Sequence, residues 1–304
     1  MHGSTVKRRV QFQQGRMMRI GGAHDALSAR LLAEAGFPAI WMSGFGLAAA
    51  QFAMPDINLV TMTESVEAAR RAATAVSIPI IVDADNGFGD LHNVARAVRE
   101  YGQAGVAGVC IEDNIFPKRC SLYPGVPREL VTPKEMCEKL EAARRAADPY
   151  GMLLIGRVES LIAGLGPEDA VARANAYAEA GADAILIHGC AFEPLREIAV
   201  SRRVSKPLVL VPTLFPTVSL AEVEACGFSA VIFANQLLRA MLLAGRTMLE
   251  AMTRAGSPAD LDRYLCSVAD VGNLVGVPAE WSRDASKPPE PSPTAARTCP
   301  PTSA

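Results

Sequence analysis

Eight short, β-rich apolar runs alternate with helical patterns over most of this chain, and few folds can use that alternation. The runs cover residues 18–23, 39–43, 79–83, 109–112, 153–158, 184–188, 208–211 and 230–233. Strands separated by helices pair in parallel, because a parallel neighbour needs a long crossover. Stretches such as IPIIVDAD, DAILIHG and PLVLVP are apolar almost throughout, as strands covered on both faces are. Eight βα units in roughly 250 residues match a closed (β/α)8 TIM barrel better than an open doubly wound sheet. Helix punctuation agrees. Residues 61–64 carry the T-x-x-E capping-box pattern, and Pro133 follows a capping Thr132. EAGF, QAGVAG, EAGADA and ACGFSA each place a glycine between a helix end and the next strand.

The remaining composition narrows the function classes. A formal net charge of −2 supplies no basic field for nucleic acid or an anionic membrane, so an anionic ligand must be captured locally. No apolar run approaches the roughly 18–20 residues of a membrane span. The opening MHGSTVKRRVQFQQGR is polar and basic, unlike a signal peptide. The seven cysteines are scattered without a CxxC pair, which predicts reduced thiols in a cytoplasmic protein. The expected organisation is a flexible N-terminus over 1–14, one barrel catalytic domain over 15–281, and a disordered Pro/Ser-rich tail over 282–304.

Polar residues concentrate where a barrel gathers its strand ends. The third run ends in Asp83-Ala84-Asp85, the fourth in Glu112-Asp113, the fifth in Arg157-Val158-Glu159 and the sixth in His188. C-terminal strand ends converge on one face, so these residues can share a pocket. Asp83, Asp85 and Glu112 could hold Mg²⁺ through oxygen ligands and water, and Mg²⁺ would tie down a small 2-oxo acid as its enolate forms. Each also has a bland reading. A strand-end Asp can be a helix cap, Arg157 an ion-pair partner of Glu159 or Glu112, and His188 a satisfied histidine. His24 and His92 lack supporting partners and read as structural. Residues 86–90, NGFGD, lack the third glycine of a dinucleotide loop and read as a tight turn. Ser43-Gly44-Phe45-Gly46 could offer backbone N–H groups to a carboxylate or oxyanion.

These residues resemble the phosphoenolpyruvate mutase/isocitrate lyase superfamily, and most closely its phosphonopyruvate hydrolase and phosphoenolpyruvate mutase branch. The resemblance rests on GAHDALSARLLAEAGF, IWMSGFGLAAA, PIIVDADNGFGD, IEDNIFPKRCS, GRVESLIAGLG, AYAEAGADAILIHG, PLVLVPT and AVIFANQLLRA. It implies that Asp83 is the principal Mg²⁺ carboxylate, with Asp85 and Glu112 acting largely through bound water. It implies that Trp41, Ser43, Gly44 and Phe45 receive the oxo acid, and that Asp56 lies near the departing group. Arg157 and His188 match the pair that holds a phosphonopyruvate-type substrate. Residues 114–122 match a mobile gating loop that carries Lys118 and Cys120 inward. A homotetramer that exchanges its eighth helix between subunits is also implied.

The gating loop departs from the mutase pattern EDKxFPKxNS, because Cys120 stands where mutases place asparagine and hydrolases tend to carry threonine. The bland reading of Cys120 is an inert small residue filling the asparagine site. Carbon–carbon lyases of the superfamily read K[KR]CGH there, with the cysteine as acid. A mutase must keep its enolate unprotonated until oxygen recaptures the phosphoryl group, whereas a nearby thiol favours net cleavage. The expected activity is therefore hydrolysis of a phosphonopyruvate-like acid, with rearrangement as its neighbour. A C–C lyase acting on a malate- or oxaloacetate-type acid is the alternative, and a non-catalytic binding barrel a more distant one.

Overall fold

The alternating runs become β1 (Met18–Ala23), β2 (Ala39–Met42), β3 (Ile80–Asp83), β4 (Gly108–Glu112), β5 (Leu153–Val158), β6 (Ala184–Ile187), β7 (Leu208–Leu210) and β8 (Ala230–Phe233). Each pairs in parallel with its sequence neighbour, and β8 returns to β1, closing the barrel. The computed structural model describes residues 10–12, 15–121, 123, 125 and 127–278. The helices are α1 (Ala26–Glu34), α2 (Gly44–Phe52), α3 (Met62–Ala75), α4 (Leu91–Ala104), α5 (Pro133–Ala147), α6 (Gly166–Glu179), α7 (Phe192–Ser201), α8 (Leu220–Ala225), α9 (Gln236–Arg254) and α10 (Val268–Val275). No helix of the described residues is long and apolar enough to cross a membrane.

Strand periodicity divides the core into two layers. Ile20, Trp41, Ile81, Cys110, Ile155, Leu186, Val209 and Ile232 fill the barrel interior. Their neighbours Ile40, Ile80, Val109, Leu154, Ile185, Leu208 and Val231 face the helices. This double burial explains why the strand sequences are apolar without alternation. Val10 is buried and joins the interior layer, with Phe12 packed against it. The rest of the 1–14 segment expected to be flexible, residues 1–9 and 13–14, lies outside the described residues, as does the expected tail at 282–304.

Local signals position the helices. Thr61 accepts from the Glu64 N–H while the Glu64 side chain returns to Thr61, completing the expected box. Thr132 caps α5, with Pro133 in its first turn. Gly105 ends α4 at φ +94, a left-handed conformation that a side chain would strain. The chain divides into two compact units after Glu250. The first carries the barrel. The second holds the end of α9, a 3₁₀ segment at Pro258–Tyr264, and α10, which Ser267 caps.

Gly22 in β1 shows how closely the barrel closes. A Cβ there would lie 2.2 Å from the Ala234 carbonyl oxygen, which is backbone and cannot swing aside. Gly22→Ala is expected to destabilise the fold by about 1–3 kcal/mol through overpacking. Urea unfolding checks this, and an unchanged midpoint would contradict the close approach.

Candidate active site

The inward row of each strand continues past the last packed layer into a polar residue. Ile81 is followed two positions on by Asp83, Cys110 by Glu112, Ile155 by Arg157, and Leu186 by His188. Register pairs Asp83 with Cys110 and Glu112 with Arg157. Period-two alternation therefore delivers all four side chains to the same end of the barrel.

Arg157 sits at the centre. Its Nε lies 2.5 Å from Glu159 Oε1 and 3.3 Å from Glu112 Oε2. Its Nη1 lies 3.8 Å from Asp83 Oδ2, and its Nη2 lies 2.8 Å from His188 Nδ1. His188 Nδ1 is also 3.0 Å from Glu159 Oε1. Burial alone would raise the Glu159 carboxyl, but the guanidinium and His188 reverse that and hold it at about 2. The Glu159 carboxylate only accepts and the Arg157 guanidinium only donates, so the two partners ask opposite roles of His188 Nδ1. Glu112 is pushed up to about 7, chiefly by burial, despite Arg157 and Lys118 nearby. Behind this group, Asp113 accepts from the Glu159 N–H at 2.9 Å, from the Tyr177 hydroxyl at 2.7 Å and from Arg173 Nη1 at 3.2 Å. That buttress fixes the end of β5.

The segment after β4 folds over the mouth. The Lys118 ammonium is buried, with Asp56 Oδ1 at 2.8 Å and Asp85 as a second ion-pair partner. Burial alone would lower its pKa; the surrounding carboxylates raise it well above the usual lysine value. Asn58 holds the closure together. Its Oδ1 accepts from the Lys118 N–H and from Asn86 Nδ2, and its Nδ2 donates to Asp85. Asn86 also donates to the Ile115 carbonyl, so the NGFGD turn anchors the loop besides leading into the Asp90 cap of α4. Cys120 is buried and lines the same cavity as Arg157, His188 and Lys118. Position 122, the last of the expected loop, lies outside the described residues.

On the opposite rim, Ser43 leaves the strand expected from sequence and caps α2, accepting from the Gly46 N–H at 3.1 Å. The positive end of α2 thus faces the carboxylates. A Cβ on Gly44 would lie 2.9 Å from Asp85 Oδ1, so only glycine lets the helix start there without displacing that side chain. Trp41, Ser43 and Phe45 line the cavity with Asp56, Asp83 and Glu112. Gly44 and Asp85 lie in an adjoining recess with Asp56 and Asp83. His24 is buried with its pKa lowered by burial, and His92 is exposed on α4; neither lines the cavity.

Asp56, Asp83, Asp85, Glu112 and Glu159 are all buried here, and the cations among them are Lys118 and Arg157. Burial, and then Asp56, Asp83 and Glu112, push the Asp85 carboxyl well above the ordinary range against the pull of Lys118. Such an excess of hard oxygen donors fits a divalent cation. No three His, Cys, Asp or Glu side chains among the described residues are grouped as direct ligands. The donor type at Asp83, Asp85 and Glu112, carboxylate oxygen, is the one Mg²⁺ takes alongside water. Sequence reasoning missed Asn58, Thr213 and Asn235. Thr213 Oγ1 and Asn235 Oδ1 line the cavity buried and without a hydrogen-bond partner among the described residues, a state that costs about 1–3 kcal/mol per group. Their signal was a polar residue just past an apolar strand in PLVLVPT and AVIFAN.

The depressed Glu159 pKa has a definite sign. Its contribution to stability is complete above the unfolded-state value near 4.5 and is lost as pH falls through about 2. Glu159→Gln is expected to cost about 3 kcal/mol at pH 7, because it leaves Arg157 under-compensated. Denaturant melts of both proteins from pH 7 downward check this. The gap should shrink only below about pH 4.5, and a constant gap would remove the charge from the explanation.

Comparison with known proteins shows the family. The phosphoenolpyruvate phosphomutase family matches residues 10–253. The chain is 40% identical over 271 residues to a phosphonopyruvate hydrolase of Variovorax sp. (strain Pal2), covering 88% of this chain and 93% of that protein. It is 31% identical over 280 residues to a 2,3-dimethylmalate lyase of Eubacterium barkeri, covering 90% and 94%. A crystal structure of phosphonopyruvate hydrolase with oxalate and Mg²⁺ superposes with a TM-score of 0.80 at 40% identity, covering 86% of this chain and 91% of that one. The chain belongs to the phosphoenolpyruvate mutase/isocitrate lyase superfamily of enzymes.

Proposed function

We propose that this enzyme cleaves the C–P bond of a phosphonopyruvate-like 2-oxo acid, yielding pyruvate and phosphate through a pyruvate enolate. The observation that carries the reading is the presence of Cys120 in one cavity with Arg157 and His188. Two donor groups suit a phosphonate, and a thiol suits protonation of the carbanion left behind. The similarity to phosphonopyruvate hydrolase supports it.

Asp83, Asp85 and Glu112 would hold Mg²⁺, which supplies Lewis-acid stabilisation of charge developing on the oxo acid. The N–H groups of Gly44 and Phe45, at the unsatisfied start of α2, receive the substrate carboxylate, while Trp41 and Ser43 complete that wall. Arg157, oriented by Glu159, binds phosphonate oxygens together with His188. Lys118, paired with Asp56, neutralises charge on the departing group and closes the loop against bulk water. When the C–P bond breaks, its electron pair stays on carbon 3. Water supplies the new P–O bond, and Cys120 delivers a proton to carbon 3.

A second reading, C–C cleavage of a malate- or oxaloacetate-type acid, is favoured by the Lys118-Arg119-Cys120 sequence and by the similarity to 2,3-dimethylmalate lyase. It uses the same enolate and the same acid. We further infer a cytoplasmic homotetramer that exchanges α9. Among the described residues α9 buries no side chain and exposes Leu242, Leu243 and Leu249, and the described cysteines form no disulfide.

Purified enzyme with Mg²⁺ and phosphonopyruvate, followed by ³¹P NMR, is expected to release inorganic phosphate. Phosphoenolpyruvate would mean rearrangement, and an unchanged phosphonate signal would leave the lyase reading. Cys120→Ser is expected to slow pyruvate formation about 10²-fold or more, in line with loss of a positioned acid. A variant at full rate would remove the thiol from the mechanism.

A further inference from the structure

The cavity wall built by β7 and β8 has no part in the chemistry above, yet it holds two oxygens the fold leaves unsatisfied. Thr213 follows β7 and Asn235 follows β8. Thr213 Oγ1 and Asn235 Oδ1 are buried, lack a partner among the described residues, and line the cavity with Cys120, Arg157 and His188. Asn235 is only 4% exposed. Its backbone is held in place: the N–H donates to Gln236 Oε1 at 3.1 Å, and the preceding Ala234 carbonyl packs against Gly22.

Strand order puts this wall across the mouth from the carboxylates. In the closed sequence β1 to β8, β7 stands opposite β3 and β8 opposite β4. An oxo acid held between α2 and the ends of β3 and β4 directs its carbon 3 substituent across the barrel. Entering and departing groups stand roughly in line during phosphoryl transfer. The water that attacks phosphorus therefore arrives from the β7–β8 side. An amide oxygen is purely an acceptor, and a hydroxyl both accepts and donates. Phosphonate oxygens are themselves acceptors and cannot satisfy Asn235 Oδ1, whereas water has two protons to offer.

We propose that Thr213 and Asn235 bind and orient the water consumed in hydrolysis, an inference that rests on the hydrolase reading. The water oxygen bonds to phosphorus as the C–P bond breaks, and its proton passes to a phosphate oxygen. The C–P electron pair remains on carbon 3, which Cys120 protonates. Neither Thr213 nor Asn235 acts as a base; they place the nucleophile.

The test uses full-length enzyme, Thr213→Val, Asn235→Leu and Thr213→Ser, with phosphonopyruvate turnover and calorimetric binding of oxalate in excess Mg²⁺. Thr213→Val and Asn235→Leu are expected to lower kcat about tenfold or more. KM and oxalate affinity should stay within about twofold, and Thr213→Ser should keep most of the rate. Phosphoenolpyruvate appearing in place of phosphate would also support the assignment, because an enolate deprived of competing water recaptures the phosphoryl group. Unchanged kcat, or oxalate affinity falling in step with the rate, would overturn it, and retained oxalate binding shows that a slow variant is folded. A wild-type enzyme inert toward phosphonopyruvate sinks the hydrolase reading and this one with it. A wild type that hydrolyses while its variants keep pace sinks the water role alone.

Discussion

The guanidinium of Arg157, buried among Asp83, Glu112 and Glu159, is the interaction on which the rest of the site depends. Carboxylates taken out of water are costly unless cations and hydrogen-bond donors replace the lost hydration. Arg157 does this for three strand ends at once, while Asp113, Tyr177 and Arg173 hold the backbone that carries Glu159. Even so, burial is not fully offset at Asp85 and Glu112: Glu112 is pushed up to about 7 and Asp85 rises as well. The same deficit explains the position of Lys118. An ammonium placed in this field gains more than one over a neutral pocket, so the acidity of the floor holds Lys118 there.

The cavity walls then divide the labour by charge. The floor from β3 to β6 is ionic and can hold a cation and an anionic group. The rim at α2 offers backbone N–H groups at the positive end of a helix. The wall at β7 and β8 is uncharged and presents oxygens without partners. A small acid spanning the mouth meets a different chemistry at each end, which orients it without any large binding surface. Period-two alternation produces this layout, since the same inward row that packs the barrel ends in the functional side chain.

Much of this was legible in the sequence because it depends on local periodicity. All eight strands lie within a residue or so of their expected bounds. Asp83, Glu112, Arg157 and His188 could be placed together because each follows the inward row of an apolar strand. Ser43 was read as the last residue of a strand and is instead a cap, a choice decided by its hydroxyl reaching Gly46. The features that stayed hidden depend on contacts between distant segments. Asn58 lies in a polar loop at φ +61 and matters only because Lys118, Asn86 and Asp85 converge on it. Thr213 and Asn235 look like ordinary strand-end polar residues until the closed barrel leaves Thr213 Oγ1 and Asn235 Oδ1 buried with no partner among the described residues. Arg157 was open to two readings, substrate ligand or ion-pair partner of Glu159 or Glu112, and the geometry contains both ion pairs. The pairing is what aims the guanidinium into the cavity.

The fate of the proposed enolate is a competition rather than a matter of binding. Once the bond to carbon 3 has broken, the carbanion can take a proton or the enolate oxygen can recapture the departing group. A carboxamide at position 120 could hold that group but has no proton acidic enough for carbon. A thiol has one, and Cys120 places it in a cavity closed by Lys118 and lined by Arg157. Protonation removes the nucleophile needed for recapture, so each proton transfer makes the cleavage irreversible on the time scale of product release. On the proposed reading the loop selects the outcome, while the ionic barrel floor holds the intermediate.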